Sequence, residues 1–300
     1  MVDITAIGDN ITDCFIDLGV MFPGGNAVNV AAQVARSGCQ SAYVGAVGDD
    51  QRGALLREAL VLEGVNVDQL HVLAGNTAYV EVRHVEGERS FGTLDRGVSM
   101  LSPSPEDLDF ASKSRLVHST FCSGIEEYLP SLGAVTRLSF DFDAHLADDY
   151  ARDVIPHVWS AEFSAAGLND EECASVLRWA ISSGATHAFA TRAALGAMYF
   201  DGVAFSRVPA LPVEPIDTLG AGDAFIGRVL CGLVRNEDAT SMLNAGIASA
   251  TRACQEQGGF GHGTSMPKDV RTDADGRSAV RAGLESRARS EGGSAASGPA

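Results

Sequence analysis

The chain has 300 residues, 45% of them hydrophobic, and a formal net charge of −17. That length and apolar content suffice for one large domain or two smaller ones, and the acidic excess excludes a general nucleic-acid binder, whose affinity rests on surplus Lys and Arg. No apolar run approaches the roughly 20 residues that span a bilayer, and the N-terminus lacks the basic, apolar and small-residue order of a signal peptide, so a cytoplasmic protein without a membrane partner is expected.

In chain order, residues 2–8 read as a buried strand, and Gly8-Asp9-Asn10-Ile-Thr-Asp13 leaves it as a polar turn. A second turn, Pro23-Gly24-Gly25-Asn26-Ala-Val-Asn29, leads into a helix over 26–37 stopped by Gly38. A strand at 41–47 and a helix at 51–63, stopped by Gly64, follow. Residues 77–85 alternate apolar and polar, turn at Glu86-Gly87-Glu88 and return through 89–94, the pattern of a half-exposed antiparallel hairpin. We expect a small β-sheet lid from about 13–21 and 76–98; an edge hairpin and a dimer surface are alternative readings. Further strands fall near 115–119, 138–142 and 186–191, with a helix over 170–183 between the last two. A hairpin at 197–208 turns at Asp201-Gly202, and helices over 224–235 and 239–257 close the body. The alternation predicts an α/β fold, a doubly wound and mostly parallel sheet flanked by helices, spanning residues 1–267. Residues 268–300 are small and polar and are expected to form a disordered tail. Cys14, Cys39, Cys122, Cys173, Cys231 and Cys254 are scattered without a C-x-x-C pair, which fits reduced thiols.

The most telling stretch is Asp217-Thr-Leu-Gly220-Ala221-Gly222-Asp223 before an apolar helical run. Gly220, Ala221 and Gly222 offer backbone N–H groups with little obstruction, and the helix behind them favours an anion. A carboxylate at Asp223, beside a bound phosphate, is placed to accept the proton of a hydroxyl that attacks the terminal phosphoryl group. Asp is also a favoured N-cap, so a plain capped helix is the competing reading. The two N-terminal turns gather carboxylates and amides suited to adjacent sugar hydroxyls, although turn chemistry alone also accounts for each. A Rossmann dehydrogenase is excluded because no Gly-x-Gly-x-x-Gly follows the first strand, and no Walker A sequence occurs.

Together, Gly24-Gly25-Asn26-Ala-Val-Asn29, a β-lid and Asp217-Thr-Leu-Gly-Ala-Gly-Asp223 resemble the ribokinase-like (PfkB) carbohydrate kinases over about residues 2–267. Ile7-Gly-Asp-Asn-Ile-Thr-Asp13, Phe22-Pro-Gly-Gly-Asn-Ala-Val-Asn-Val-Ala31, Arg89-Ser-Phe-Gly-Thr-Leu-Asp95-Arg-Gly-Val98 and Ser139-Phe-Asp-Phe142 are most similar to the fructoselysine 6-kinase branch. The resemblance implies an ATP-dependent kinase acting on a primary hydroxyl, plausibly the 6-hydroxyl of fructoselysine or a related fructosamine. Fructose, ribose or a nucleoside are the alternative substrates, and a non-catalytic sugar or nucleotide sensor is the alternative class. It implies Asp223 as base, Gly220, Ala221 and Gly222 as anion hole, and Asp13, Gly25 and Asn29 as sugar contacts, with Asp9 and Asn26 beside them. Thr191, Arg192 and Gly196 match the nucleotide phosphate and ribose region, Asn244 and Gly261 the adenine region, and Asp217 a residue near a monovalent cation. ATP, Mg2+ and K+ are the implied cofactors, and a homodimer through the lid the implied assembly. Two departures stand out. The family's Asn-x-x-Glu region reads Trp159-Ser-Ala-Glu-Phe-Ser-Ala-Ala-Gly167, and its Thr-x-Gly-x-x-Gly reads Thr191-Arg-Ala-Ala-Leu-Gly196, where a surface position for Arg192 is the plainer expectation. A lysine-bearing substrate would favour an acidic group at the far end of the pocket, for which Asp95 or Asp143 are candidates, with ordinary solvated acids as the plainer reading.

Overall fold

A computed structural model describes residues 2–85 and 88–266; the segment expected as a tail and the tip of the lid hairpin lie outside the described residues. Strand β1 (Ile4–Ile7) is buried throughout. β2 (Ile11–Phe15) and β3 (Val20–Gly24) form an antiparallel hairpin that runs directly into α1 (Asn26–Arg36). The polar stretches at 9–13 and 23–29 are therefore largely strand and helix start, not open turns, because β2 and β3 pair along their whole length.

β4 (Ser41–Gly48) is buried at every position, as a central parallel strand covered on both faces must be. Helix α2 (Gln51–Leu62) starts on Asp50, whose carboxylate accepts the Gly53 N–H, and β5 (Asn66–Leu73) follows. β6 (Tyr79–Val85) and β7 (Glu88–Asp95) form the expected hairpin. α3 (Pro105–Ser112), β8 (Leu116–Thr120), α4 (Leu129–Gly133), β9 (Leu138–Asp141), α5 (Asp149–Val154), β10 (Ser160–Ser164), α6 (Asp170–Ser182) and β11 (His187–Thr191) then alternate. β12 (Ala197–Phe200) and β13 (Phe205–Val208) complete the edge, and α7 (Ala221–Arg235), α8 (Ala239–Ala253) and β14 (Thr264–Ser265) end the described chain.

Among the described residues the large sheet runs β13-β12-β11-β10-β9-β8-β1-β4-β5, parallel except at the antiparallel pairs β11–β12 and β12–β13. Helices α1, α2, α7 and α8 bury apolar stripes on one face, and α3 to α6 cover the other. The second sheet, β14-β3-β2-β6-β7, stands apart from it. Its β14 arrives from beyond α8, a long-range pairing with no local signature in two residues.

Strand register sets up the site. Thr120 of β8 and Glu162 of β10 both lie opposite Asp141 of β9. One row inward, Ser139 Oγ lies 2.8 Å from His118 Nδ1 and donates to Glu162 Oε2 at 3.0 Å, while Ser160 Oγ donates to Oε1 at 2.6 Å. Burial lowers the His118 pKa to about 3 and raises that of Glu162 well above its ordinary value, against the pull of the two Ser hydroxyls.

Candidate active site

The strand C-terminal ends and the starts of α1 and α7 converge on one cleft. Asp9 follows β1, and its carboxylate is filled by the chain itself. Oδ2 accepts the Asn26 N–H at 2.8 Å, while Oδ1 takes the Ala27 N–H and the hydroxyls of Thr120 and Ser123. It is the anion at the start of α1, which leaves little acceptor capacity for a sugar and corrects its expected place among the sugar contacts. Gly25 adopts φ 108°, and a Cβ there would meet the Asn10 backbone at 2.6 Å, so only glycine brings α1 this close. Asp13, on β2, is 5% exposed and lies against Gly24, where an added Cβ would strike its Oδ2.

One turn into α1, Asn29 donates from Nδ2 to Asp223 Oδ2 at 2.7 Å, across 194 residues of sequence. Asp223 occupies the first turn of α7, behind Gly220 in the left-handed region at φ 73°. Gly222 has nothing within 4 Å of where a Cβ would sit, an open space beside backbone donors in which an anion fits. Burial and the carboxylates of Asp141, Asp9 and Asp13 push the Asp223 pKa well up, with only the Asn29 hydrogen bond opposing. The partial positive charge of the helix N-terminus acts in the opposite sense, favouring the ionised acid.

Beyond Gly222 lies a cavity of about 640 Å³, lined by Thr191 at the end of β11 and Gly196 after it, by Ala221 and Gly222, and by the extended 210–215 segment. Its α8 wall is Ile247, Ala250, Thr251 and Cys254. A mostly apolar pocket opening on a helix N-terminus suits a nucleotide, base in the pocket and phosphates at the glycines.

The pfkB family carbohydrate kinase model matches residues 18–261. The chain belongs to this family. It is 35% identical over 265 residues to the fructosamine kinase FrlD of Bacillus subtilis, covering 87% of this chain and 93% of that one. It is 32% identical over 262 residues to the fructoselysine 6-kinase of Escherichia coli, covering 87% and 100%. The fold matches the ribokinase of Arabidopsis thaliana complexed with ribose and ATP, with a TM-score of 0.75, 17% identity and coverage of 90% and 97%. The protein is thus an ATP-dependent carbohydrate kinase of the ribokinase-like fold.

Several expected nucleotide contacts lie elsewhere in this family member. Arg192 is 5% exposed, not a surface residue. It turns away from the cavity, donating to Asp170 Oδ1 at 2.6 Å and the Leu168 carbonyl at 3.1 Å. Asn244 is exposed and absent from the cavity wall, one turn before Ile247. Gly261 belongs to the segment that returns through β14 to the small sheet, beside the Arg36–Glu63 ion pair and the His262–Glu63 hydrogen bond. An Asn-x-x-Glu does occur, at Asn169 and Glu172, but each side chain caps the other's backbone at the start of α6. Asp217 ties the turn before α7 to the loop after α8, accepting N–H groups from Leu219 and Gly258.

The residues that sequence reading missed had a signal. Ile247, Ala250, Thr251 and Cys254 stand at i, i+3, i+4 and i+7, one face of a helix, but a core face has the same spacing. Asp141 closes an apolar strand, and only the register reveals its neighbours.

Proposed function

We propose that this kinase transfers the γ-phosphoryl group of ATP to the 6-hydroxyl of a fructosamine, fructoselysine being the leading candidate. The observation that carries the reading is the position of α7. Its first residues, Ala221 and Gly222, line the nucleotide cavity, and the next, Asp223, faces the acidic cleft between α1 and the strand ends. The two similar kinases named above supply the substrate class.

Asn29 holds one oxygen of Asp223, which leaves the other for the sugar hydroxyl. As the hydroxyl oxygen bonds to the γ-phosphorus, its proton passes to Asp223; the bond to the β,γ-bridging oxygen breaks and ADP leaves. The backbone N–H of Gly222 would face the charge that develops on the transferring group, joined by that of Ala221 on release of its long 3.4 Å hydrogen bond to the Thr218 carbonyl. Asp13, Gly25, Asn26 and Asn29 are the proposed sugar contacts, and Thr191 and Gly196 the nucleotide contacts. Mg2+ would accompany the phosphates of the nucleotide and screen their charge; the described residues contain no ready-made group of three metal-binding side chains. A K+ requirement would place that ion near Asp217, which activity in KCl against NaCl would test. We also place the enzyme in the cytoplasm as a homodimer through the small sheet, where Phe91 and Leu94 of β7 expose apolar surface.

The test is ADP release from purified protein with Mg-ATP and fructoselysine, fructose, ribose or adenosine, with Asp223→Asn as blank. Turnover favouring fructoselysine supports the reading. Asp223-dependent turnover on another sugar keeps the mechanism and removes the substrate; none on any sugar removes the reading.

A further inference from the structure

The cleft holds more negative charge than phosphoryl transfer uses. Asp141, at the end of β9, lies opposite Thr120, whose hydroxyl holds Asp9. It is 6% exposed. One carboxylate oxygen accepts the Asp143 N–H at 2.9 Å, while the other takes no donor among the described residues and still reaches solvent. The charges acting on Asp141 are the carboxylates of Asp143 and Asp9, and Asp141 is in turn the foremost charge acting on Asp223. Burial and these neighbours push its pKa up to about 7. Arg96, whose charge reaches the nearby Cys122 thiol along with those of Asp9 and Asp141, is exposed and makes no ion pair with Asp141.

A buried carboxylate facing other carboxylates gains nothing for the fold, and a neutral sugar would not relieve it. A cation would. Fructosamines differ from fructose at C1, where a secondary amine, protonated at neutral pH, replaces a hydroxyl. C1 and C6 stand at opposite ends of the sugar, so a hydroxyl held at Asp223 leaves the amine on the far side of the same cleft.

Resting on the fructosamine reading, the geometry points to Asp141 as the residue that selects amine-bearing sugars, its open oxygen receiving the secondary ammonium on C1 while Asp223 holds the 6-hydroxyl. The other acids expected near a lysine-bearing substrate have different work. Asp95 closes its own turn by accepting the Gly97 N–H, and Asp143, in the left-handed region at φ 48°, steadies Asp141 through its backbone. The ammonium also weakens the mutual repulsion of Asp141 and Asp223, so the charged substrate helps to ionise the base that acts on it.

The test compares fructoselysine with its isostere carrying an ether oxygen in place of the amine nitrogen, in the wild type, Asp141→Asn and Asp141→Glu. Initial rates and inhibition constants are measured with Mg-ATP, and melting temperature with and without sugar. The wild type should prefer the amine at least about tenfold in kcat/KM, chiefly through KM, as a charged hydrogen-bonded pair warrants. Asp141→Asn should collapse that preference towards one, and Asp141→Glu should restore part of it. Equal loss on both sugars would assign Asp141 to the ring, the metal or the fold; a preference that survives in Asp141→Asn, or is missing in the wild type, also overturns the proposal. Wild-type turnover on fructose or ribose but not on either fructosyl compound would instead bring down the fructosamine reading itself, before any variant is compared.

Discussion

Asp141→Asn should make the protein more stable, and increasingly so as pH rises. The Asp141 pKa is 3.8 in the open chain and about 7 in the folded protein. The fold therefore binds a proton that the unfolded chain releases, and its stabilising effect is complete below the unfolded value and is lost as pH rises through the folded one. The full difference corresponds to about 4 kcal/mol, reached above pH 7, and to between about one and two kcal/mol at pH 5. Asparagine keeps the acceptor for the Asp143 N–H and nearly the same volume but has no charge to desolvate. For a domain of this size each kcal/mol shifts the midpoint by roughly 2–4 °C, so Asp141→Asn should melt several degrees above wild type near pH 8, the gap closing towards pH 4. Paired melting curves across that range, without ligand, measure the difference directly. A variant that melts lower at pH 8, or a gap that ignores pH, would show that the Asp141 carboxylate is compensated in the folded state and would refute the electrostatic account of the cleft.

Removing the base should affect rate and leave sugar binding largely in place: Asp223→Asn is expected to lower kcat by about 10²–10⁴, with sugar affinity within a few-fold of wild type, because the amide still accepts the Asn29 hydrogen bond. A kcat near wild type in the folded variant would remove Asp223 from its role. Because Asp223 has a raised pKa and acts ionised, kcat/KM should rise with pH through a value well above that of an ordinary carboxylate; a profile flat from about pH 5 upward would contradict this. Gly24→Ala should fold, since only the end of the Asp13 side chain must move, yet raise the sugar KM by displacing that carboxylate; an unaltered KM would take Asp13 away from the sugar. Ala193 sits in the left-handed region at φ 48°, so Ala193→Gly should gain up to about 1 kcal/mol in denaturant unfolding, and a loss would show that the Ala methyl contributes packing.

Local chemistry and long-range geometry divided what could be read from the residues. The alternation of strands and helices was legible because β4 is largely apolar along its length and α1 buries an apolar face, and the glycines before Asp223 marked where α7 starts. Arg192 was opaque for a physical reason. Its partners, Asp170 and the Leu168 carbonyl, lie more than twenty residues upstream at the start of α6, and nothing in Thr191-Arg-Ala-Ala-Leu-Gly196 shows which way the guanidinium turns. Asp9 misled for the opposite reason, since a carboxylate beside a glycine turn suits a sugar as well as a helix start, and the choice was made by Thr120 and Ser123, over a hundred residues away.

That division bears on how specificity evolves in such a fold. The proposed phosphoryl-transfer apparatus is concentrated in one turn, Gly220 to Asp223, where backbone dipoles need no particular neighbours. Asp141 and Asp13, by contrast, come from separate strands of different sheets, and in the proposed arrangement they reach one sugar only because β9 stands beside β8 and β2 beside β3. A change at the end of one strand can therefore alter the charge presented to the sugar while the hydrogen bond between Asn29 and Asp223 stays intact. Under the proposal for Asp141, exchanging this one end-of-strand residue changes which sugars the kinase prefers, and the stability released by Asp141→Asn would measure what the fold forgoes to keep a carboxylate there.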